Sequence, residues 1–315
     1  MPLWPKKKKK KWKNYFRNSN PAGSGQSLQI GGFFYMKKIK YFLLTKSVGL
    51  YINVLSYVYP EKATQLAYRL FSNPRLGRLT LGKLPPILEA SERTIFNYNG
   101  QEFQTYTWHG NATTILLVHG WESNASRWEK LIPYLQKTGN TIVALDAPAH
   151  GLSTGKEFNV PVYAEFINVV VQKFQPKHII GHSIGGAACV YFQYKFQNQE
   201  LQKMVLLGAP SDLKILIANY KRLLGLNAKM EKLLAAHFLK QFDFHLEDFS
   251  SQKFGKKLKL KGIIAHDMDD TVVAFEEGKK VASSWQSAEF ITTNGLGHSM
   301  HNADLYLKII NFLDC

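Results

Sequence analysis

Residues 178–189 read HIIGHSIGGAAC, where a short apolar run ends at Gly181 and Ser183 stands between Gly181 and Gly185. Such a run, closed by glycine, is typical of a buried strand, and the apolar residues after it are typical of a helix. The serine is either an ordinary turn residue or a nucleophile held outward by a sharp bend. The other strands of the chain help to distinguish these two interpretations.

Short apolar runs alternate with helical stretches along most of the chain. The runs occupy residues 113–118, 141–145, 177–180, 204–207, 260–265 and 289–292. This alternation predicts an α/β fold, in which a mostly parallel sheet is covered by helices on both faces. Before these runs, Asn99-Gly100 joins two strand-like segments, 93–98 and 102–108, and predicts an antiparallel hairpin.

Polar residues follow five of the predicted strands. They are His119-Gly120-Trp121, Asp146 to Gly151, His182-Ser183, His266 to Asp270, and Gly297-His298. Ligands of an open parallel sheet bind beyond the carboxyl ends of its strands. The sequence therefore predicts that serine, histidine and aspartate side chains converge at one edge of the sheet.

The order of Ser183, an aspartate and then His298 on these strand ends resembles the α/β-hydrolase family, over about residues 91–315. The resemblance implies that Ser183 is the nucleophile, on the strained strand-to-helix turn called the nucleophile elbow. Strand and helix backbones crowd together at such a turn. Gly181 and Gly185, two residues before and after the serine, are therefore expected to provide clearance.

The resemblance also implies the partners of Ser183. His298 follows the last predicted strand and is expected to be the general base, with His301 as the alternative. Asp270 is expected to orient the imidazole, because Asp270-Thr271-Val272-Val273 matches the spacing in similar sequences. Asp269 is the alternative acid. Backbone N–H groups of Trp121 and Ile184 are the expected oxyanion hole.

Three further regions are predicted from composition and length. Residues 36–90 are expected to form an N-terminal helical segment, whose apolar stripe either packs on the core or lies on a membrane surface. The sheet domain then spans 91–315. Within it, the helical stretch between Pro210 and Lys261 is too long for a connection, so about residues 211–258 are predicted to form a helical cap.

The net charge of +17 is concentrated at the start of the chain. Residues 1–40 contain eleven lysines and arginines and no acid, so removing those charges leaves +6 on the remaining 275 residues. Residues 1–35 are predicted to be a disordered basic tail. The alternatives are an arm that contacts an anionic membrane or nucleic acid, or a segment upstream of a true start at Met36.

The function implied by the resemblance is hydrolysis of a carboxylic ester or thioester through an acyl-enzyme. Related epoxide hydrolases and dehalogenases carry an aspartate at the position of Ser183, which disfavours those reactions. The apolar residues of the predicted cap favour a small or medium apolar acyl substrate. Two alternatives stay open: an acyltransferase on the same three residues, and a non-catalytic membrane- or nucleic-acid-binding module.

Metals, cofactors and specific nucleic acids are not expected, because no set of metal ligands is visible and the mechanism needs none. Two cysteines, Cys189 and Cys315, cannot form a disulfide framework. The apolar run from Tyr41 to Tyr59 is interrupted by Lys46 and is not expected to span a membrane. A cytoplasmic location is predicted, with peripheral membrane contact through the basic N-terminus left open.

Overall fold

A single eight-stranded sheet forms the centre of the protein. The computed structural model describes residues 27–314, with side chains from residue 40, so the lysine block at 6–11 and Cys315 lie outside it. The strands are Glu92–Tyr98 (β1), Gln101–Trp108 (β2), Thr114–Val118 (β3), Thr141–Leu145 (β4), His178–His182 (β5), Lys203–Leu207 (β6), Lys261–Asp267 (β7) and Ala288–Thr293 (β8). Their spatial order is β1-β2-β4-β3-β5-β6-β7-β8.

The pairing of the strands confirms the predicted fold class. β1 and β2 form the antiparallel hairpin, and β2 also pairs antiparallel with β4, while all other neighbours are parallel. At the hairpin turn both Asn99 and Gly100 have positive φ, 48° and 78°, as a two-residue turn of this kind requires. Strand order reverses around β3, so its carboxyl end lies beside that of β5, and this edge is where a site is expected.

Helices cover both faces of the sheet. The described helices are Ser27–Val58 (α1), Pro60–Ser72 (α2), Pro86–Glu89 (α3), Ile132–Gln136 (α4), Val160–Phe174 (α5), Ile184–Phe196 (α6), Leu213–Leu224 (α7), Ala228–Phe242 (α8), Ser251–Gly255 (α9), Phe275–Ala282 (α10) and Ala303–Asp314 (α11). Alternate residues of β3 enter opposite cores: Leu116 joins the core under α5 and α6, and Leu117 joins the core under α4 and α11.

A third core belongs to helices alone. Helices α1, α2, α7 and α8, which we call the helical layer, bury Ile52, Ala67 and Met230 against one another. Close approach of α1 to α7 requires Gly49, since a Cβ atom there would lie 1.8 Å from the carbonyl oxygen of Leu224. The N-terminal helices and the inserted helices therefore pack as one unit.

The amino-terminal boundary differs from the prediction. Helix α1 begins at Ser27, not at Met36, so residues 27–35 are helical where a tail was predicted up to residue 35. The polar stretch that suggested a tail ends before large apolar residues, which can continue a helix: Leu28, Ile30, Phe33, Phe34 and Tyr35. Among the described helices none is both long enough and apolar enough to cross a bilayer.

Candidate active site

The turn between β5 and α6 holds Ser183 in a strained conformation. Its backbone has φ 55° and ψ −132°, a combination that non-glycine residues rarely adopt and that costs on the order of 1–3 kcal/mol. Two contacts fix it, since the Ser183 N–H donates to the carbonyl of Leu207 at 2.8 Å and its carbonyl accepts from the N–H of Gly186 at 2.8 Å. The serine is thus the sharp bend, and its hydroxyl projects beyond the strand end.

Three glycines make this bend possible. A Cβ atom on Gly181 would lie 2.6 Å from the Cα of Gly186, and one on Gly185 would lie 2.3 Å from the carbonyl oxygen of His119. Both distances are shorter than real Cβ contacts, so any side chain at these two positions would clash. Glycine therefore provides the clearance that was predicted at Gly181 and Gly185. Gly120, given no such role from the sequence, also crowds the bend, because its Cβ would lie 2.8 Å from the Cβ of Ser183.

The structure brings Ser183, His298 and Asp270 into one hydrogen-bonded chain. His298 Nε2 lies 2.9 Å from Ser183 Oγ, and His298 Nδ1 lies 2.7 Å from Asp270 Oδ2. The alternatives point elsewhere. Asp269 is exposed and accepts a hydrogen bond from the N–H of Gly295, and His301 pairs with the hydroxyl of Tyr306.

The Asp270 carboxylate is held in its charged form. Burial raises its pKa, but the nearby His266 ring and hydrogen bonds from the His298 ring and from the N–H groups of Val272 and Val273 outweigh this effect and hold the pKa well below its usual range. His266 Nε2 lies 3.5 Å from Oδ2, with its own hydrogen bond to the carbonyl of Val273 at 3.0 Å. A charged Asp270 favours the His298 tautomer that carries its proton on Nδ1.

Asp267 joins the two loops that carry the acid and the histidine. It is fully buried, and its carboxylate accepts from the N–H of Asp269 at 3.0 Å, the hydroxyl of Thr293 at 2.7 Å and the N–H of Leu296 at 3.0 Å. Burial raises the pKa of Asp267, but these hydrogen bonds have the larger effect and bring the pKa below its ordinary value. Asp267 therefore links the loop that carries Asp270 to the loop that carries His298.

His182 supports the histidine loop from β5. Its Nε2–H donates to the carbonyl oxygen of His298 at 2.7 Å, and the two ring centroids lie 4.8 Å apart. Burial, with the nearby charge of Arg127, lowers the pKa of His182 well below its ordinary value, so the ring stays neutral. The sequence placed His182 at this strand end but gave it no role, since nothing local indicates a contact across more than a hundred residues.

Two backbone N–H groups beside Ser183 are free for a ligand. Ile184 begins α6, so its N–H has no partner within the helix, and Trp121 lies in the turn after β3. Neither group has an acceptor within residues 27–314. The Trp121 ring packs edge-on against Phe158, with the ring centroids 5.4 Å apart.

The loop from Asp146 to Ser153 is a structural support. Asp146 is fully buried and accepts from the N–H groups of Ala125 and Leu152, both at 2.9 Å, and from the hydroxyl of Tyr106 at 2.8 Å. Ala149, a non-glycine residue, has a φ of 63° in this loop. This conformation explains why glycine suits the position.

Comparison with known proteins shows the family to which this fold belongs. A family model described as alpha/beta hydrolase fold matches residues 113–300, more than half of the chain. The chain belongs to the α/β hydrolase family. The hydrolase is 25% identical over 240 residues to a bifunctional esterase/perhydrolase of Acinetobacter calcoaceticus, covering 60% of this chain and 86% of that protein.

A further relative and a solved structure are similar to the hydrolase. Serine hydrolase-like protein 2 of Homo sapiens is 28% identical over 219 residues, covering 62% of this chain and 67% of that protein. The crystal structure of a bromoperoxidase from Bacillus anthracis superposes with a TM-score of 0.56 at 16% identity, covering 71% of this chain and all of that one. That likeness shows the fold, while the esterase and serine hydrolase relatives indicate a hydrolase.

Two buried histidines around the site make the stability of the hydrolase depend on pH. Burial lowers the pKa of His119 to about 3 and that of His150 to about 4, so both stay neutral in the folded protein. Each accepts a backbone N–H through Nε2, from Ala147 and Glu122 respectively, both at 2.9 Å. Protonation would destroy those acceptors.

We therefore expect the free energy of unfolding to fall between about pH 7 and about pH 5. The unfolded chain binds protons at these histidines near their ordinary pKa and the folded chain does not, which costs up to about 2 kcal/mol per histidine at about pH 5. Urea unfolding followed by tryptophan fluorescence measures the change, and His150→Gln should reduce it. Equal or greater stability of the unsubstituted protein at the lower pH would contradict the expectation.

Proposed function

We propose that this hydrolase cleaves a carboxylic ester or thioester through an acyl-enzyme on Ser183. The observation that carries the proposal is the 2.9 Å hydrogen bond between His298 Nε2 and Ser183 Oγ, with His298 Nδ1 bound to the charged Asp270. A serine hydroxyl is a weak nucleophile until a base removes its proton. His298 is positioned to be that base, and Asp270 stabilises the imidazolium that forms.

The reaction follows from these positions. His298 takes the hydroxyl proton as Ser183 Oγ attacks the acyl carbon, and the N–H groups of Ile184 and Trp121 stabilise the oxyanion. The imidazolium then protonates the leaving alcohol or thiol as its bond to the acyl carbon breaks. Water, deprotonated by His298, releases the acid and restores Ser183. The positive end of α6, a helix of 13 residues, favours the same negative charge.

An apolar acyl group is the substrate feature that the surroundings favour. Trp121 and Ile184 are partly buried beside the core under α5 and α6. Leu213 and Phe244, from the insertion between β6 and β7, contact both that core and the helical layer. These apolar and aromatic side chains support a small or medium apolar acyl chain over a charged one.

An acyltransferase is the second candidate, because the same three residues would serve an alcohol or thiol acceptor in place of water. A relative named as both esterase and perhydrolase favours keeping this candidate. The non-catalytic alternative gains no support, since Ser183, His298 and Asp270 are all present and hydrogen-bonded. We also propose a cytoplasmic location, supported by the buried free thiol of Cys189.

A series of p-nitrophenyl esters of increasing acyl length tests the proposal. We expect turnover of short and medium chains, with kcat/KM rising by about 10-fold per one or two added methylenes while the apolar site fills. Adding a primary alcohol distinguishes the candidates, because a transferase diverts acyl groups to the alcohol and a hydrolase does not. Absence of turnover at every chain length would contradict both candidates.

A further inference from the structure

Helix α1 is apolar on two opposite faces. Its inner face, with Thr45, Gly49, Ile52 and Ser56 at helical spacing, is buried in the helical layer. This face is firmly held, because the Asn53 side chain donates to the carbonyl of Gly225 at 2.9 Å and accepts from the N–H of Asn227 at 3.0 Å. The position and rotation of α1 are thus fixed by its neighbours in the helical layer.

The outer face of α1 carries large apolar side chains that nothing in the described structure covers. The side chains of Leu50, Val54 and Tyr57 are 64%, 58% and 67% exposed to solvent, and they follow one another at intervals of four and three residues. Leu43, Tyr51 and Val58 are similarly exposed. Single exposed leucines are ordinary on a protein surface, but a row of six large apolar residues on one helix marks an interaction surface.

Positive charge borders this outer face. No acidic residue occurs before Glu61. Where its side chains are described, α1 carries Lys40, which is exposed, and Lys46, whose ammonium donates to the carbonyl of Arg222 at 2.7 Å. From neighbouring helices, Lys229 Nζ lies 4.3 Å from the centre of the Tyr57 ring, and Lys62 Nζ lies 4.8 Å from that of Tyr59. The combination is an apolar row with tyrosine at its end and ammonium groups along its border.

We propose that the outer face of α1 docks this protein on the surface of an anionic lipid bilayer. Leucine and valine side chains would enter the acyl boundary, tyrosine rings suit the interface, and lysines would contact anionic headgroups. A second copy of the chain fits less well, because pairing two such faces brings their lysines together. α1 would lie along the bilayer surface, because its inner face stays packed in the helical layer.

Flotation of the full chain with vesicles tests the proposal. Vesicles of phosphatidylcholine and phosphatidylglycerol in equal parts should bind it, with affinity falling as salt rises, and vesicles of phosphatidylcholine alone should bind it less. The triple variant Leu50→Ser/Val54→Ser/Tyr57→Ser should bind the anionic vesicles at least about 10-fold more weakly. All three positions are exposed, so its melting temperature should match that of the unsubstituted chain.

The matched control removes equally exposed apolar residues elsewhere, in the variant Leu81→Ser/Ile95→Ser/Leu307→Ser, and should bind as the unsubstituted chain does. Ser183→Ala should bind equally well, which separates this proposal from the ester chemistry. Unchanged binding by the α1 variant would overturn the proposal. The proposal would also be overturned if the unsubstituted chain bound no vesicles and sedimented as a dimer, while the α1 variant sedimented as a monomer.

Discussion

The Ser183→Ala variant is expected to lose between about 10⁴-fold and about 10⁶-fold of kcat on any ester that the protein turns over. The reason is that the substitution removes the only hydroxyl that lies within hydrogen-bonding distance of His298 Nε2 among the described residues. KM should change little, because Ser183 contributes its oxygen to the reaction rather than to apolar binding of the substrate. Steady-state kinetics on a p-nitrophenyl ester measures both quantities.

Folding of this variant should be intact. Alanine keeps the Cβ atom of serine and adds no contact to the bend at φ 55°. Ser299→Ala is the matched control, because its hydroxyl donates to the carbonyl of Leu296 beside His298 without facing Ser183. We expect Ser299→Ala to retain activity within about 3-fold. Activity of Ser183→Ala comparable with that of the unsubstituted protein would contradict the assignment of the nucleophile.

The Asp270→Asn variant is expected to lose about 10⁴-fold in kcat while remaining folded. The asparagine carbonyl can still accept from the N–H groups of Val272 and Val273, so the loop should keep its shape. Its amide nitrogen would face His298 Nδ1 in place of the carboxylate. The imidazole would then carry its proton on Nε2, where it cannot accept the proton of Ser183.

Asp269→Asn is the matched control one residue away. Asp269 accepts a single hydrogen bond, from the N–H of Gly295 at 2.9 Å, and asparagine preserves an acceptor there. We expect less than about 10-fold loss. A large loss in Asp269→Asn with a small one in Asp270→Asn, measured as kcat under one set of conditions, would reverse the assignment of the acid.

Much of the sheet and of its carboxyl edge could be predicted because the signals are local. Apolar runs of four to six residues mark the buried strands, and Asn99-Gly100 marks the hairpin through its need for positive φ. Ser183 and its flanking glycines mark the bend in the same way. Parallel strands bring their carboxyl ends to one edge of the sheet, so the residues that follow the predicted strands could be predicted to form one site.

Contacts between distant segments could not be predicted. Nothing near Gly49 in the sequence indicates that its backbone meets Leu224, and nothing in α1 indicates which of its two apolar faces packs. Both faces satisfy the same helical period. The start of α1 at Ser27 also differs from the prediction, because the polar stretch before it suggested a tail that would continue into the apolar residues that follow.

Supporting residues of the site were missed as well. Asp267 was given no role from the sequence, yet its carboxylate joins the loop of Asp270 to the loop of His298. His182 looked like a neighbour of the nucleophile, yet it donates to the carbonyl of His298. Such roles depend on which loops meet in space, and single-residue patterns carry no information about that.

Labelling with a fluorophosphonate tests the central claim most directly, because this reagent phosphonylates an activated serine in a single covalent step. Peptide mapping of the labelled protein by mass spectrometry should locate the adduct on Ser183. Labelling should be lost in Ser183→Ala, strongly slowed in Asp270→Asn and retained in Asp269→Asn. A stable adduct on any other residue, or equal labelling of Ser183→Ala, would contradict the account.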